Sequence, residues 1–391
     1  MKIFNRCFSI FIIFIMLFSF NEKEVSAYTK EEIDKNNVTD FINNIFKIRN
    51  NFTLSGDLEN FKDNYDLKNN YGKWSFEHEV KRAKYLRDWA SERGMIIKSI
   101  ESIPNFKKVT LGKNSATVRV DEGVKVTYGY SNDKDNCENV FGVNLFHNIS
   151  LKINDSNMVI INDYYLDCFE DGLKTYEVNY SETLLPAPKE KNYDFVNNVR
   201  TNVELSSSSK FDRLKAVSYA DTYCGVPWAT GKEINKYNTR YKNFTGVGGN
   251  CTNYVSQCLG DKDAGSLKQD GTWYCIYKGY NGAETSASWS NADAFKNYLL
   301  YSGKGKLVKK GDFKEVTKPL KESSNGAIGK LTLGDVIAYD KGNDIDHTAI
   351  ITGFDSHGYP LINSHTVDRY HVPFDLGWGD KNIKFLLIHI Q

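Results

Sequence analysis

Two stretches in the first half of the chain carry apolar residues at helical spacing. Phe41, Ile42, Ile45 and Phe46 form one stripe, and Val80, Ala83, Leu86 and Trp89 form a second within Phe76 to Arg93. The period then falls to two. Residues 108–111, 116–120, 124–128, 143–153 and 158–165 read as strands, and Asn154-Asp155-Ser156-Asn157 supplies the turn between the last two. Helices followed by antiparallel strands predict an α+β domain over 28–188. Glu77 and Glu79 on the second helix read as a solvated face, and this half offers no catalytic constellation.

The pattern breaks at Leu184-Leu185-Pro186-Ala187-Pro188, which reads as a stiff connector. A linker is expected over 189–210, ending near the serine run 206–209. A second domain then covers 211–391. Leu214, Val217, Ser218 and Ala220 to Tyr223 predict one helix. Cys251 opens the next, with Val255, Cys258 and Leu259 on one stripe. Residues 288–301 form a third, with Ala292, Phe295 and Leu299 inward. Strands follow at 336–339, 347–353, 361–365 and 385–390. With 391 residues, two domains are the default and each can bury a core.

The first residues change the setting. Lys2 and Arg6 precede an apolar run from Cys7 to Phe20, and Val25-Ser26-Ala27 offers small residues for cleavage. This is the pattern of a signal peptide over 1–27, which implies a secreted or cell-wall-associated protein. An uncleaved membrane anchor is the alternative. Charge adds an exclusion: Lys+Arg number 50 and Asp+Glu 49, so no global field draws the chain to nucleic acid. Oligomeric state is not readable. Export raises the prospect of disulfides among the six remaining cysteines; with Cys251 held free and Cys258 read as an apolar packing residue, Cys137–Cys168 and Cys224–Cys275 are possible pairs. No C-x-x-C occurs, and neither a metal nor another cofactor is called for.

The chemistry lies in Gly248-Gly249-Asn250-Cys251-Thr252-Asn253-Tyr254-Val255-Ser256-Gln257. A glycine pair delivers a cysteine to a helix start, where free N–H groups and the helix dipole favour a thiolate. Far downstream, Asp346-His347-Thr348-Ala349-Ile350-Ile351 puts a histidine at the head of an apolar strand. Cysteine on a helix and histidine on a distant strand outline a papain-like thiol hydrolase. Cys251 is the expected nucleophile and His347 the expected base, resting as a thiolate–imidazolium pair. A third group must orient the imidazole. Asn363 and His365 share a strand face, and both are in reach if the register turns that face to His347. The oxyanion hole is expected from the Cys251 N–H plus Tyr241 or the Asn250 amide. Trp273 and Trp289 line a groove or pack in the core.

These residues, with Tyr237-Asn238, Tyr241, Trp273, Ser288-Trp289, Leu333-Gly334-Asp335-Val336 and Ser364-His365-Thr366-Val367-Asp368, resemble the putative amidase domain of exported Gram-positive bacterial proteins. That family is related to the NlpC/P60 and CHAP peptidoglycan hydrolases. The resemblance covers about 211–390. It implies a papain-like fold and amide hydrolysis in peptidoglycan or a wall-associated peptide, and it favours His365 as the third residue. Asn250 departs from the family, which usually carries Asp before the cysteine. The first half resembles NTF2-like or cystatin-like folds in its element order. The alternative function is a papain-like binding or adaptor module at the cell wall without turnover.

Overall fold

Asp34 accepts the first amides of a long helix, and its capping box with Asn37 fixes the start of α1 (Lys35–Ser55). In the computed structural model the described residues are 33–133, 137–155, 157–193, 210–231, 236–279, 283–342, 344–378 and 382–391. The expected signal peptide and most of the expected linker lie outside them. After α1 come α2 (Glu59–Lys62), α3 (Asn70–Glu92), and the strands β1 (Met95–Gly112), β2 (Ser115–Tyr130), β3 (Asn139–Asn154) and β4 (Asn157–Tyr164). The two segments expected at 116–120 and 124–128 are one strand. β1 starts well before its alternating part.

A short α4 (Glu170–Leu173) leads toward the second half. There the order is α5 (Arg213–Thr222), α6 (Pro227–Thr230), α7 (Cys251–Gly260), β5 (Cys275–Tyr277), β6 (Ala283–Thr285), α8 (Ala287–Ser290), α9 (Ala292–Tyr301), β7 (Gly305–Gly311) and α10 (Phe313–Thr317). It closes with β8 (Val336–Asp340), β9 (Ile345–Phe354), β10 (Pro360–Ser364), β11 (Asp368–Pro373) and β12 (Lys384–Ile390). Asn291 splits the expected 288–301 helix, because its side chain caps α9 at the Ala294 amide.

The architecture is mixed α and β around one large antiparallel sheet. Its order is β1-β2-β3-β11-β10-β9-β8-β12-β7, with β4 also on β3. One edge of β3 serves two partners. Its later residues pair with β4, and Val143 and Asn144 pair with Arg369 and Asp368 of β11. The sheet therefore runs through both sequence halves, and Ile33–Gln391 forms one unit.

Two apolar layers cover the faces of the second-half strands. On one face Ile337, Tyr339, Ala349, Ile351, Ile362, Val372, Phe385 and Leu387 pack with Trp89, Leu86, Phe169 and Leu173 of the first half. On the other, Val336, Ile350, Ile388 and Ile390 pack with Tyr254, Val255, Cys258 and Leu259 of α7 and Phe295 and Leu299 of α9. Polar ties reinforce the first layer. Asp375 accepts from Arg93, from Trp89 Nε1 at 3.0 Å and from Tyr359 at 2.6 Å.

Glu79 corrects the expectation for α3. It is buried beside Arg49 and accepts from Tyr165. It belongs to a buried network in which His147 bridges Asp163 at 2.9 Å and Glu122 at 3.1 Å, and Arg49 pairs with Glu122. Glu77 is half-buried under Tyr180. The six cysteines among the described residues are free thiols, so neither proposed disulfide forms. No described helix is long and apolar enough to cross a membrane.

Candidate active site

Cys251 is the first residue of α7, a helix buried along its whole length. Its own exposure is 8%, enough to leave the thiol at the margin of the core. Gly248 (φ +122°) and Gly249 (φ +98°) make the approach, and both angles lie where a side chain is strained. A Cβ on Gly249 would also meet Thr366 Oγ1 at 3.2 Å. The helix start is not capped by its own Asn250. Instead the Thr366 hydroxyl receives two amides, Asn250 N–H at 2.8 Å and Cys251 N–H at 3.1 Å.

Asn250 uses its side chain differently. Its Oδ1 accepts from Asn253 at 2.8 Å and from the Phe244 amide at 3.2 Å, which fixes the orientation of the carboxamide. Its Nδ2–H donates to His365 Nδ1 at 2.8 Å. His365 Nε2–H donates to the Tyr223 carbonyl at 2.6 Å. These partners set the tautomer: Nδ1 accepts and Nε2 carries the proton. The ring stacks on Tyr254 at 3.9 Å and meets the edge of Tyr237 at 4.7 Å. Burial pushes His365 down to about 3, so it is a neutral imidazole.

The register decides which residues face the thiol. Val336 pairs with Ile350, Ala338 with Thr348 and Tyr339 with His347. Thr348 Oγ1 meets Thr252 Oγ1 of α7 at 3.1 Å, so Thr348 and Ile350 look toward α7. Alternation turns His347 to the opposite face. There its ring lies 5.7 Å from Tyr339 and 5.3 Å from Trp378, and its Nε2 accepts from Arg369 at 3.3 Å. Asn363 pairs with Ile350 and therefore shares the α7 face with His365.

The expected quartet is thus divided. Cys251, Asn363 and His365 lie on the α7 side, and His347 lies on the side that carries the first half. No hydrogen bond joins Cys251 to His347; the thiol's near polar neighbour is Thr252 Oγ1 at 3.8 Å. Burial, then the Arg369 and Lys341 charges, hold His347 well below the usual imidazole range. His347 is held as a neutral imidazole on the far face of the sheet from α7. The cause is local: Tyr339 pairs with His347 but Asp340 with Ile345, leaving Asp346 as an extra residue. One such residue sets the parity of all that follows.

The remaining candidates separate cleanly. Asn363 accepts from Thr352 at 2.9 Å and donates to Asp221 at 2.9 Å, with His371 Nε2 also on Asp221 at 3.0 Å. Tyr241 gives its hydroxyl to Asp261, so it is engaged away from the α7 amides. Trp273 and Trp289 are fully buried in the core, and Cys258 packs beside them as an apolar residue. Sequence reasoning missed the roles of Thr366, Arg369 and Tyr223. Thr366 lay inside a quoted motif, but its φ of +87° has no sequence signature in a β-branched residue.

A cavity of about 720 Å³ is lined by Tyr85, Trp89, Arg93, Phe313 and Trp378 among others, Trp378 being the ring beside His347.

Comparison with known proteins bears on this half. Uncharacterized protein YhbB of Bacillus subtilis (strain 168) is 31% identical over 189 residues, 46% of this chain and 50% of the relative. Uncharacterized protein YjcM of the same organism is 28% identical over 195 residues, 48% of this chain and 38% of the relative. The chain thus spans half or less of the curated relatives it matches. Among solved structures, the intermembrane space region of chloroplast protein ARC6 aligns with 34% of this chain and 98% of its own, at 12% identity and a TM-score of 0.24. Residues 210–388, the segment that holds α7, His347 and His365, match the model of the family described as putative amidase domain.

Proposed function

We propose that residues 210–388 hydrolyse an amide bond with the Cys251 thiol as nucleophile, in an exported protein acting on peptidoglycan or a wall peptide. The observation that carries this reading is the α7 start, where the thiol sits beside two amides directed at one oxygen. The family match supports amide hydrolysis in general. Export and the wall substrate rest on the leader pattern and on the resemblance.

In the reaction the sulfur adds to the carbonyl carbon, the C–N bond breaks, and the amine leaves with a proton. Water then cleaves the thioester, releasing the carboxylic acid and restoring the thiol. A histidine must take the thiol proton and return it to the amine. Of His347 and His365, His365 is on the thiol's side, and we assign that transfer to it. Asn250 must release Nδ1 for His365 to act.

A second reading keeps His347 as the base, and the extra residue Asp346 favours it. A one-residue slip at the head of β9 turns His347 toward α7. The test is the pH dependence of Cys251 alkylation, read by peptide mass, in wild-type, His347→Ala and His365→Ala proteins, alongside digestion of purified peptidoglycan by these and by Cys251→Ser protein. The His365 assignment requires a shifted curve in His365→Ala and an unmoved one in His347→Ala. The reverse pattern supports the slipped strand. A folded wild type that cleaves no amide supports the non-catalytic binding module.

A further inference from the structure

Thr366 follows the end of β10 in a conformation that a β-branched residue rarely adopts. Such a backbone costs on the order of 1–3 kcal/mol and persists only where its surroundings fix it. The surroundings here are specific. Asp368, two residues on, accepts from Tyr237 at 2.7 Å and lies 3.8 Å from Lys236. Gly225 leaves room for that carboxylate, since a Cβ there would collide with Asp368 Cγ. His365 on the other side is held by Asn250 and Tyr223.

The result is one oxygen at the focus of two amides, at 2.8 and 3.1 Å. Oxyanion donors stand about 2.7–3.1 Å from the oxygen they stabilise. Thr366 Oγ1 therefore occupies the place of an oxygen that both amides can bind beside the Cys251 thiol. It also takes up N–H groups that would otherwise favour a Cys251 thiolate.

We infer that Thr366 is a positioning residue that works as a plug: its hydroxyl holds the α7 amides in the geometry of an oxyanion hole and must yield to the substrate. This deepens the amidase reading and rests on it. The pair of amides is preformed, and a rotation about Thr366 χ1 frees both for a better acceptor.

The experiment needs no substrate. Cys251 labelling by iodoacetamide is followed by peptide mass in the full chain, which separates it from Cys137 and Cys275. Thr366→Ala removes the hydroxyl, and Thr366→Ser keeps it. Thr366→Gly removes it while accepting the backbone angle, and so covers the case in which the alanine protein does not fold. The expected result is labelling about tenfold faster at neutral pH in the alanine or glycine protein, with the midpoint of the pH curve about one unit lower. Serine should match the wild type. Folded alanine or glycine protein that labels at the wild-type rate or slower overturns the plug. Failure of the amidase reading shows separately, as wild-type protein that cleaves no amide while the labelling ratios hold.

Discussion

Asp375→Ala should destabilise both sequence halves together. Asp375 is buried and accepts from three groups: Arg93, Trp89 Nε1 and the Tyr359 hydroxyl. Arg93 is buried too, with its guanidinium 4.8 Å over Trp89 and 4.7 Å over Phe313. Burial works against the Arg93 charge, and the neighbouring Asp375 carboxylate overrides it. Removing Asp375 leaves the buried Arg93 charge with only the part-exposed Glu92, 3.7 Å away, at a cost toward the low end of about 3–5 kcal/mol. The stranded Trp89 N–H adds about 1 kcal/mol or more. The sum, about 4 kcal/mol, is a large share of the roughly 5–15 kcal/mol of a typical domain. Arg93→Met with Asp375→Leu should recover most of it, because an apolar pair leaves no orphan charge. Guanidinium unfolding followed by circular dichroism gives the total loss, and hydrogen exchange by mass spectrometry locates it. Peptides of 33–193 and of 210–391 should lose protection in parallel. Unchanged protection in 210–391 would refute the reasoning and make the halves independent.

Four further outcomes are expected. Cys251→Ala should abolish amide cleavage with the unfolding midpoint nearly unchanged, while Cys258→Ala should cost about 1–3 kcal/mol of stability through a core cavity and leave Cys251 labelling intact; midpoint and labelling measured together check both. Residues 210–391 expressed alone should be poorly soluble, because the apolar face around Ile337, Tyr339 and Phe385 loses Trp89 and Leu86; a soluble, monodisperse fragment on gel filtration would contradict this. Asn250→Asp should return a charge beside His365 and raise its pKa from about 3, which the imidazole NMR shifts against pH report. Stability should fall as pH rises above about 6.5. Burial opposes the charges on His147 and His78, but their carboxylate neighbours override it and raise them to about 9 and about 10. Their contribution is complete below the unfolded value near 6.5 and is lost as pH rises through those figures. At lower pH His365, lowered by burial to about 3, and Asp368, raised by burial to about 7, act in opposite directions. Urea midpoints from pH 6 to 10 should trace the loss.

Much of this was legible in the chain. The stripes at Phe41 to Phe46 and Val80 to Trp89 are helices, and the Gly-Gly-Asn-Cys string does open one at Cys251. What sequence could not supply was parity. His347 and Thr348 look equivalent at the head of an apolar strand, and a single extra residue at Asp346 decides which of them meets α7. β11 was hidden for another reason. Asp368-Arg-Tyr-His-Val-Pro has no apolar alternation, because its polar groups are used by partners distant in sequence, such as Lys236 and the Cys168 carbonyl. Glu79 misled because a carboxylate on a helix is usually solvated, and its buried partners Arg49 and Tyr165 lie on separate elements.

The shared edge of β3 has a consequence for biosynthesis. Half of that edge is satisfied at once by β4, through a short turn, but the half at Val143 and Asn144 waits for Arg369 and Asp368. That partner emerges on the order of 220 residues later, and closing so distant a contact is slow. A nascent chain would meanwhile show unpaired backbone groups and the uncovered faces of Trp89 and Phe169. The two partners can meet only once synthesis has passed β11. Factors that hold the unfinished chain would then govern the yield of this protein more than its final stability does.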